Sequence, residues 1–301
     1  MSFATSGRGG GVTRRPRVLV LGASGLLGFA MLRTLLTSGC WVVGATRNPE
    51  TVRRVAPYLV PNLISSGDLR DISVLNKLLD QQLPDVVVNC VAAPRSDWSK
   101  PEEILALFAL LPKRLAHLCQ KQGIRLVHFS SDGVFSGRRG NYAENDIPDA
   151  DDIYGIGKIL GEVTGIGVLT IRTSMLGPDP VGRTGLLSWF LAQKKRCAGY
   201  SRSIFSGLPT VEIARIVRDV ILPRSTLSGI YHLASDPISK LELLRLIANQ
   251  YDKAITIEDD PSVVINRSLD CNVFRQLTGY QSASWPVLIQ MMYEDHQTIG
   301  V

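Results

Sequence analysis

The chain has 301 residues, 45% apolar and 20% charged, with 27 glycines, enough for a sizeable core in one large domain or in a domain with a smaller lobe. A net charge of +6 and a pI near 9.1 do not indicate nucleic acid, because basic residues beyond the Arg14, Arg15, Arg17 cluster are scattered and no aromatic-basic interleaving that would stack bases occurs. Five cysteines without a Cys-x-x-Cys pair exclude a disulfide framework and a zinc site and point to a reducing, cytoplasmic compartment, and no apolar run reaches the ~20 residues of a membrane span.

Residues 1–16 lack the apolar core of a signal peptide and read as a flexible tail. From residue 17 a β-branched run, RVLVLG, stops at Gly22, and a helical pattern follows as far as Ser38. Between them lies Gly22-Ala23-Ser24-Gly25-Leu26-Leu27-Gly28. Strand, glycine turn and helix in that order predict a dinucleotide cradle, of which Ser24, Leu26 and Leu27 are part. Gly22 permits the tight turn, Gly25 lets the backbone approach a pyrophosphate, and Gly28 allows close helix packing; the helix N-terminus offers N–H groups to the anion. The second strand, 41–46, ends without the carboxylate that would bond a ribose 2′-hydroxyl. Arg47 follows instead, where a guanidinium suits a 2′-phosphate, so NADP(H) is favoured over NAD(H).

Residues 62–66 read as a third strand, and Asp71 as the N-cap of a helix through Gln82. Asp68 and Leu69 lie at that strand's end. A fourth strand, 85–90, runs into Val91-Ala92-Ala93, where small Ala92 and Ala93 let a cofactor lie close to the backbone. The short strand–helix period predicts an α/β fold, a doubly wound parallel sheet of Rossmann type. The loop PRSDWSK leaves the carboxyl end of the fourth strand, the edge at which open α/β sheets bind ligands, which makes Arg95, Asp97 and Trp98 candidate substrate contacts. Residues 101–122 predict one long helix and 125–130 a fifth strand.

That strand leads into Ser131-Asp132, and a helix over 153–163 carries Tyr154 and Lys158 on one face. An ammonium one turn from a phenol stabilises the phenolate and lowers its pKa from about 10 toward neutrality. Tyr154 is therefore a candidate proton donor, and Ser131 a hydroxyl able to polarise the same substrate oxygen. After a sixth strand, 168–172, the pattern loosens into an amphipathic helix over 185–194. Trp189 and Tyr200 are candidates to stack on a sugar or base, and the cluster Lys194-Lys195-Arg196 to meet a diphosphate. A helix over 210–222 and a strand over 229–234 follow, then a helix through Tyr251 opened by a Ser239–Glu242 capping box. His117, His128 and His232 read as structural, and no metal is expected, because no His or carboxylate cluster has ligand spacing.

The segments GASGLLG (22–28), GDLRD (67–71), DVVVNCVAA (85–93), HFSSDGVFSG (128–137), YGIGKILGE (154–162), IRTSMLGP (171–178) and SGLPT (206–210) follow one another in this chain. In that order they resemble the extended short-chain dehydrogenase/reductases of the dTDP-4-dehydrorhamnose reductase-like type, NAD(P)-dependent sugar-nucleotide reductases and epimerases. The resemblance covers nearly all of the chain beyond residue 16. It implies Tyr154 as general acid, Lys158 holding the nicotinamide ribose and tuning Tyr154, Ser131 as hydroxyl partner, and Asp68 beside the adenine. It also implies a Rossmann domain over 17–173 and 207–235, with a smaller C-terminal lobe over 174–206 and 236–301 that covers the sugar nucleotide.

Asp132 follows Ser131 as in those reductases, but Gly133 stands where they carry a tyrosine, a loss expected to enlarge the substrate pocket. Leu107-Phe108 stands before Pro112 where relatives often read Val-Asn, which removes an amide that commonly supports the lysine through water. The implied function is NADPH-dependent reduction of the keto group of a nucleotide-activated 4-keto-6-deoxy sugar. The alternatives are an NAD-dependent sugar-nucleotide epimerase or dehydratase, and a non-catalytic NADP-binding regulatory subunit of the kind that acts on methionine adenosyltransferase. Homodimerisation through the helices at 101–122 and 153–163 is the superfamily's habit.

Overall fold

A computed structural model describes residues 15–93, 100–180 and 185–299. Its first half runs β1 (Arg17–Leu21), α1 (Leu26–Leu36), β2 (Trp41–Thr46), α2 (Pro49–Val55), β3 (Leu63–Ser65), α3 (Ile72–Gln82), β4 (Val86–Asn89), α4 (Pro101–Leu105), α5 (Leu111–Gln122), β5 (Arg125–Phe129), α6 (Ile153–Gly161) and β6 (Val168–Arg172). There follow β7 (Met175–Leu176), α7 (Gly185–Ala192), β8 (Arg196–Tyr200), β9 (Ser203–Phe205), β10 (Leu208–Pro209), α8 (Thr210–Ile216) and β11 (Gly229–His232). The last elements are β12 (Ile238–Ser239), α9 (Lys240–Gln250), β13 (Thr256–Asp260), β14 (Ile265–Asn266), α10 (Asn272–Thr278) and α11 (Trp285–Gln297).

Seven strands form one parallel sheet in the order β11-β6-β5-β4-β1-β2-β3. In the centre Val18 lies opposite Val42 on one side and Val86 on the other. Alternate residues of these strands face opposite helical layers, which is why the strands read as near-continuous apolar runs. Leu19, Leu21, Val43 and Val87 pack with Leu75, Leu79 and Leu115 on one face. Val18, Val20, Val88 and Val127 pack with Phe29, Leu32, Ile213 and Ile216 on the other, and that core continues into Leu243, Phe274 and Leu288 of the C-terminal part. Strand order reverses between β1 and β4, the switch point at whose carboxyl edge doubly wound folds bind ligands.

Caps hold the helices that border this edge. Asp71 Oδ1 accepts the Ser73 N–H (2.8 Å), and Asp152 Oδ1 accepts the Gly155 N–H at the start of α6 (2.7 Å). Ser239 Oγ accepts the Glu242 N–H (3.1 Å), while the Glu242 carboxylate turns to Arg245.

The helix expected over 101–122 is not continuous. It is broken into α4 and α5 by a π-helical turn, Ala106–Leu110. Pro112 has no N–H to give the Phe108 carbonyl, so the ladder widens and the Leu111 N–H bonds Ala106 instead. A second π turn, Val217–Ile221, shortens the helix expected over 210–222. No helix among the described residues is long and apolar enough to cross a membrane.

Candidate functional site

The loop between β1 and α1 is shaped by two close approaches. Gly22 has φ +77°, and a Cβ there would lie 2.9 Å from the Cys90 carbonyl carbon. A Cβ on Gly28 would run into the Gly22 carbonyl oxygen. Gly25 is the N-cap of α1 and offers it no side-chain cap; its own Cβ would meet nothing nearer than the Gly22 oxygen at 3.4 Å. The N-terminus of α1 is thus uncapped beside exposed backbone, an arrangement that fits a pyrophosphate. Ser24 Oγ bonds Thr46 Oγ1 (2.6 Å) and ties the loop to the end of β2. Leu27 is buried, and half-exposed Leu26 reaches toward the start of α7.

Arg47 is exposed immediately after β2. Asp68, after β3, is held below the usual carboxylate range mainly by Arg70, whose Nη2 lies 2.6 Å from Oδ2, with a smaller contribution from the charge of Arg47. Arg70 also pairs with Glu103. Leu69 is buried; beyond β4, Ala92 is exposed and Ala93 buried. Arg95, Asp97 and Trp98 lie outside the described residues.

Tyr154, Lys158 and Ser131 come together where β5 ends against α6. Ser131 Oγ accepts the Gly133 N–H (2.9 Å) and donates to Asp132 Oδ1 (3.1 Å). A Cβ on Gly133 would sit 2.8 Å from Tyr154 Cε1 and 3.2 Å from Ser131 Oγ, so phenol and hydroxyl flank one point. Where a Cβ on Gly133 would stand, the Tyr154 ring already lies, so a side chain at 133 would displace the phenol. Lys158 is buried and donates to the Phe129 carbonyl (3.0 Å), with Nζ 4.6 Å from the centroid of the Phe108 ring. Burial pulls its pKa down to about 8, against the opposing charge of Glu162.

Behind this group lies a buried polar network. Glu162 receives Arg172 in bidentate fashion (2.7 and 2.8 Å) and the Ser130 hydroxyl (2.8 Å). Arg172 Nη1 lies 3.2 Å from His232 Nε2, which fixes Nε2 as the acceptor and leaves Nδ1–H to donate to the Tyr142 carbonyl (3.0 Å). Burial, then the Arg172 charge, lowers the His232 pKa to about 4. His128 is likewise held well below its ordinary value by burial, with Nδ1 3.1 Å from the Asn89 amide. Both histidines are structural.

Asp132 collects side chains that the sequence did not single out. Desolvation raises its pKa, opposed by the charge of Arg267, by hydrogen bonds from Ser131 and Ser174, and by the charge of Lys240. Arg267 also reaches Asp152 (3.7 Å). These partners arrive from 174, 240 and 267, loop and helix-start positions with no periodic signature; of them only Ser174 lies in a segment, IRTSMLGP, that carries the resemblance. By contrast, Trp189 (45% exposed) and Lys195 turn toward solvent, and among the described residues neither has a side-chain hydrogen bond, ion pair or ring contact with the Tyr154 group. Tyr200 is half-buried on β8.

The chain matches the model of the RmlD substrate binding domain over residues 16–297. It is 36% identical over 146 residues to a probable low-salt glycan biosynthesis reductase, Agl14, of Haloferax volcanii, covering 48% of this chain and 46% of that protein, so the match spans about half of that relative's length. Methionine adenosyltransferase 2 subunit beta of Mus musculus is 26% identical over 305 residues, covering 91% of this chain and 88% of that one. The crystal structure of dTDP-4-dehydrorhamnose reductase from Bacillus anthracis, in complex with NADP, has the same fold, with a TM-score of 0.77 at 18% identity over 95% of this chain and 100% of that one.

Proposed function

The chain belongs to the RmlD substrate-binding-domain family, and on that premise we propose that it reduces the keto group of a nucleotide-activated sugar, of the 4-keto-6-deoxy type, with a nicotinamide dinucleotide. The observation that carries the reading is the meeting of Tyr154, Ser131 and buried Lys158 at the sheet edge that also holds the glycine cradle. The Gly22–Gly28 loop and the N-terminus of α1 would hold the dinucleotide, whose chemistry there would be hydride transfer. Tyr154 gives its phenolic proton to the substrate oxygen, and the Ser131 hydroxyl donates a hydrogen bond to the same oxygen as charge develops on it. Lys158, as an ammonium, steadies the phenolate left behind. With 174–206 and 236–301 as the substrate lobe, Ser174 bonds Asp132 and the charges of Lys240 and Arg267 act on it, a group suited to orient sugar hydroxyls and the anionic end of the substrate.

Arg47, exposed at the ribose end of the cradle, favours NADP(H): a 2′-phosphate there meets a guanidinium whose fixed neighbour, Asp68, is already engaged by Arg70. With a soluble reductant and a sugar nucleotide as reactants, the reaction belongs in the cytoplasm. The test is loss of reduced-nicotinamide absorbance with NADPH, then NADH, on dTDP-4-keto-6-deoxyglucose supplied with a 3,5-epimerase. Turnover that prefers NADPH supports the reading. A second reading, a regulatory subunit that retains the dinucleotide site, is supported by the likeness to methionine adenosyltransferase 2 subunit beta over 91% of this chain. It takes over if NADPH binds, no keto sugar in a panel oxidises it, and a stoichiometric enzyme partner copurifies.

A further inference from the structure

Phe108 fills the space behind the reacting side chains. Its side chain is 2% exposed. Its ring face lies 4.6 Å from Lys158 Nζ, and the Tyr154 ring meets it edge-on at 5.4 Å and 86°. Among the described residues the one hydrogen bond of Lys158 goes to the Phe129 carbonyl, so the aromatic face is the second partner of the ammonium. The backbone holds the ring in place from two directions. Pro112, which follows the π turn, has no N–H to give the Phe108 carbonyl. A Cβ on Gly161 would run into that carbonyl, and one on Gly157 would come within 3.3 Å of Phe108 Cβ and 3.2 Å of Ile104 Cγ2. Two chain segments interlock here at glycine distance, and rigid packing of this kind leaves an aromatic ring little freedom.

We propose that Phe108 is a positioning residue for the Tyr154–Lys158 pair: its π face serves as a dry partner for the Lys158 ammonium and holds it beside Tyr154, its remaining N–H donors available to a bound ribose. The proposal rests on the reading of Tyr154 and Lys158 as the working pair. The titratable groups facing Lys158 are Glu162 and Tyr154 on its own helix, Cys90 after β4 and His128 on β5. Burial keeps Cys90 and His128 neutral, so Glu162, the Phe129 carbonyl and the Phe108 ring are left to favour the ammonium. A cation over a desolvated aromatic face is stabilised enough to move such a group by about one pH unit.

The experiment reads Lys158 directly, apart from turnover. The full chain, labelled with [ε-13C]lysine, is titrated by NMR, and the Lys158 signal is assigned by its loss in Lys158→Met. Phe108→Leu keeps the apolar volume and removes the π face, so the Lys158 midpoint falls by about one unit. Phe108→Asn brings in an amide oxygen and water, so the midpoint rises. A merely structural ring gives no such opposite pair. Site-specific fluorinated phenylalanines at 108 keep the shape while weakening the ring quadrupole, and the midpoint falls stepwise with fluorine number; this series remains informative if a natural variant does not fold. NADPH affinity, read by its fluorescence, weakens in step with the downward shifts of Phe108→Leu and the fluorinated series. Midpoints that stay within a few tenths of a unit across the fluorinated series, or that move the same way in Phe108→Leu and Phe108→Asn, overturn the proposal. Absence of turnover with all sugars, with these shifts intact, counts against the reductase reading alone.

Discussion

The two sides of the cleft are built from different materials. The side proposed to hold the cofactor is mostly backbone: a positive-φ glycine, an uncapped helix N-terminus and a carbonyl that excludes any side chain at Gly28. The side proposed for the substrate is mostly side chains, with Ser174, Lys240 and Arg267 from three separate segments acting on Asp132. Backbone geometry depends on a few glycines at fixed spacing, so it tolerates little change, whereas a side-chain cluster can be retuned one residue at a time. That difference predicts which substitutions are absolute and which are graded.

The largest effect is expected at the cradle. Gly28→Val forces the Gly22 carbonyl to move and should abolish measurable NADPH binding in a fluorescence titration; near-normal affinity would mean that this loop is not the dinucleotide site. Arg267→Ala should sharpen the comparison from the other side, raising the KM for the sugar nucleotide about tenfold while the KM for NADPH stays put. Equal changes in both would show that the two sides are not separable. Arg47→Ala should cost about 1–2 kcal/mol of NADPH binding and leave NADH nearly unchanged, as expected for a lost charge-assisted contact; isothermal titration with both dinucleotides checks it.

Smaller effects concern pH. The Lys158 pKa is lowered to about 8, and its charged form is the useful one, so kcat/KM should fall as pH rises through about 8. His232 is lowered from 6.5 to about 4. The unfolded chain takes up its proton first, so stability is full above pH 6.5 and declines as pH falls from there toward 4. Urea midpoints between pH 7 and 4 should show this slope, and His232→Gln should flatten it.

The same contrast explains what was readable in the sequence. The strand, glycine turn and helix of the cradle, the Asp71 cap and the Tyr154–Lys158 spacing are local patterns, and the structure has each of them at the expected residues. The π turn at 106–110 was not foreseen, because a widened ladder keeps the composition of a helix and only the missing N–H of Pro112 betrays it. Gly133 shows a related limit: along the chain its missing side chain reads as open space, and only the folded position of Tyr154 places a ring edge where its Cβ would stand. Arg267 and Lys240 carry no periodicity and reach Asp132 across more than a hundred residues, a proximity that tertiary folding alone creates.

The most direct test compares wild type with Tyr154→Phe at saturating NADPH and keto sugar, with NADPH affinity measured in parallel. General acid catalysis by this phenol predicts unchanged NADPH binding and a loss of at least about 10²-fold in kcat. Near-normal turnover in the variant would contradict the assignment of Tyr154 and with it the mechanism.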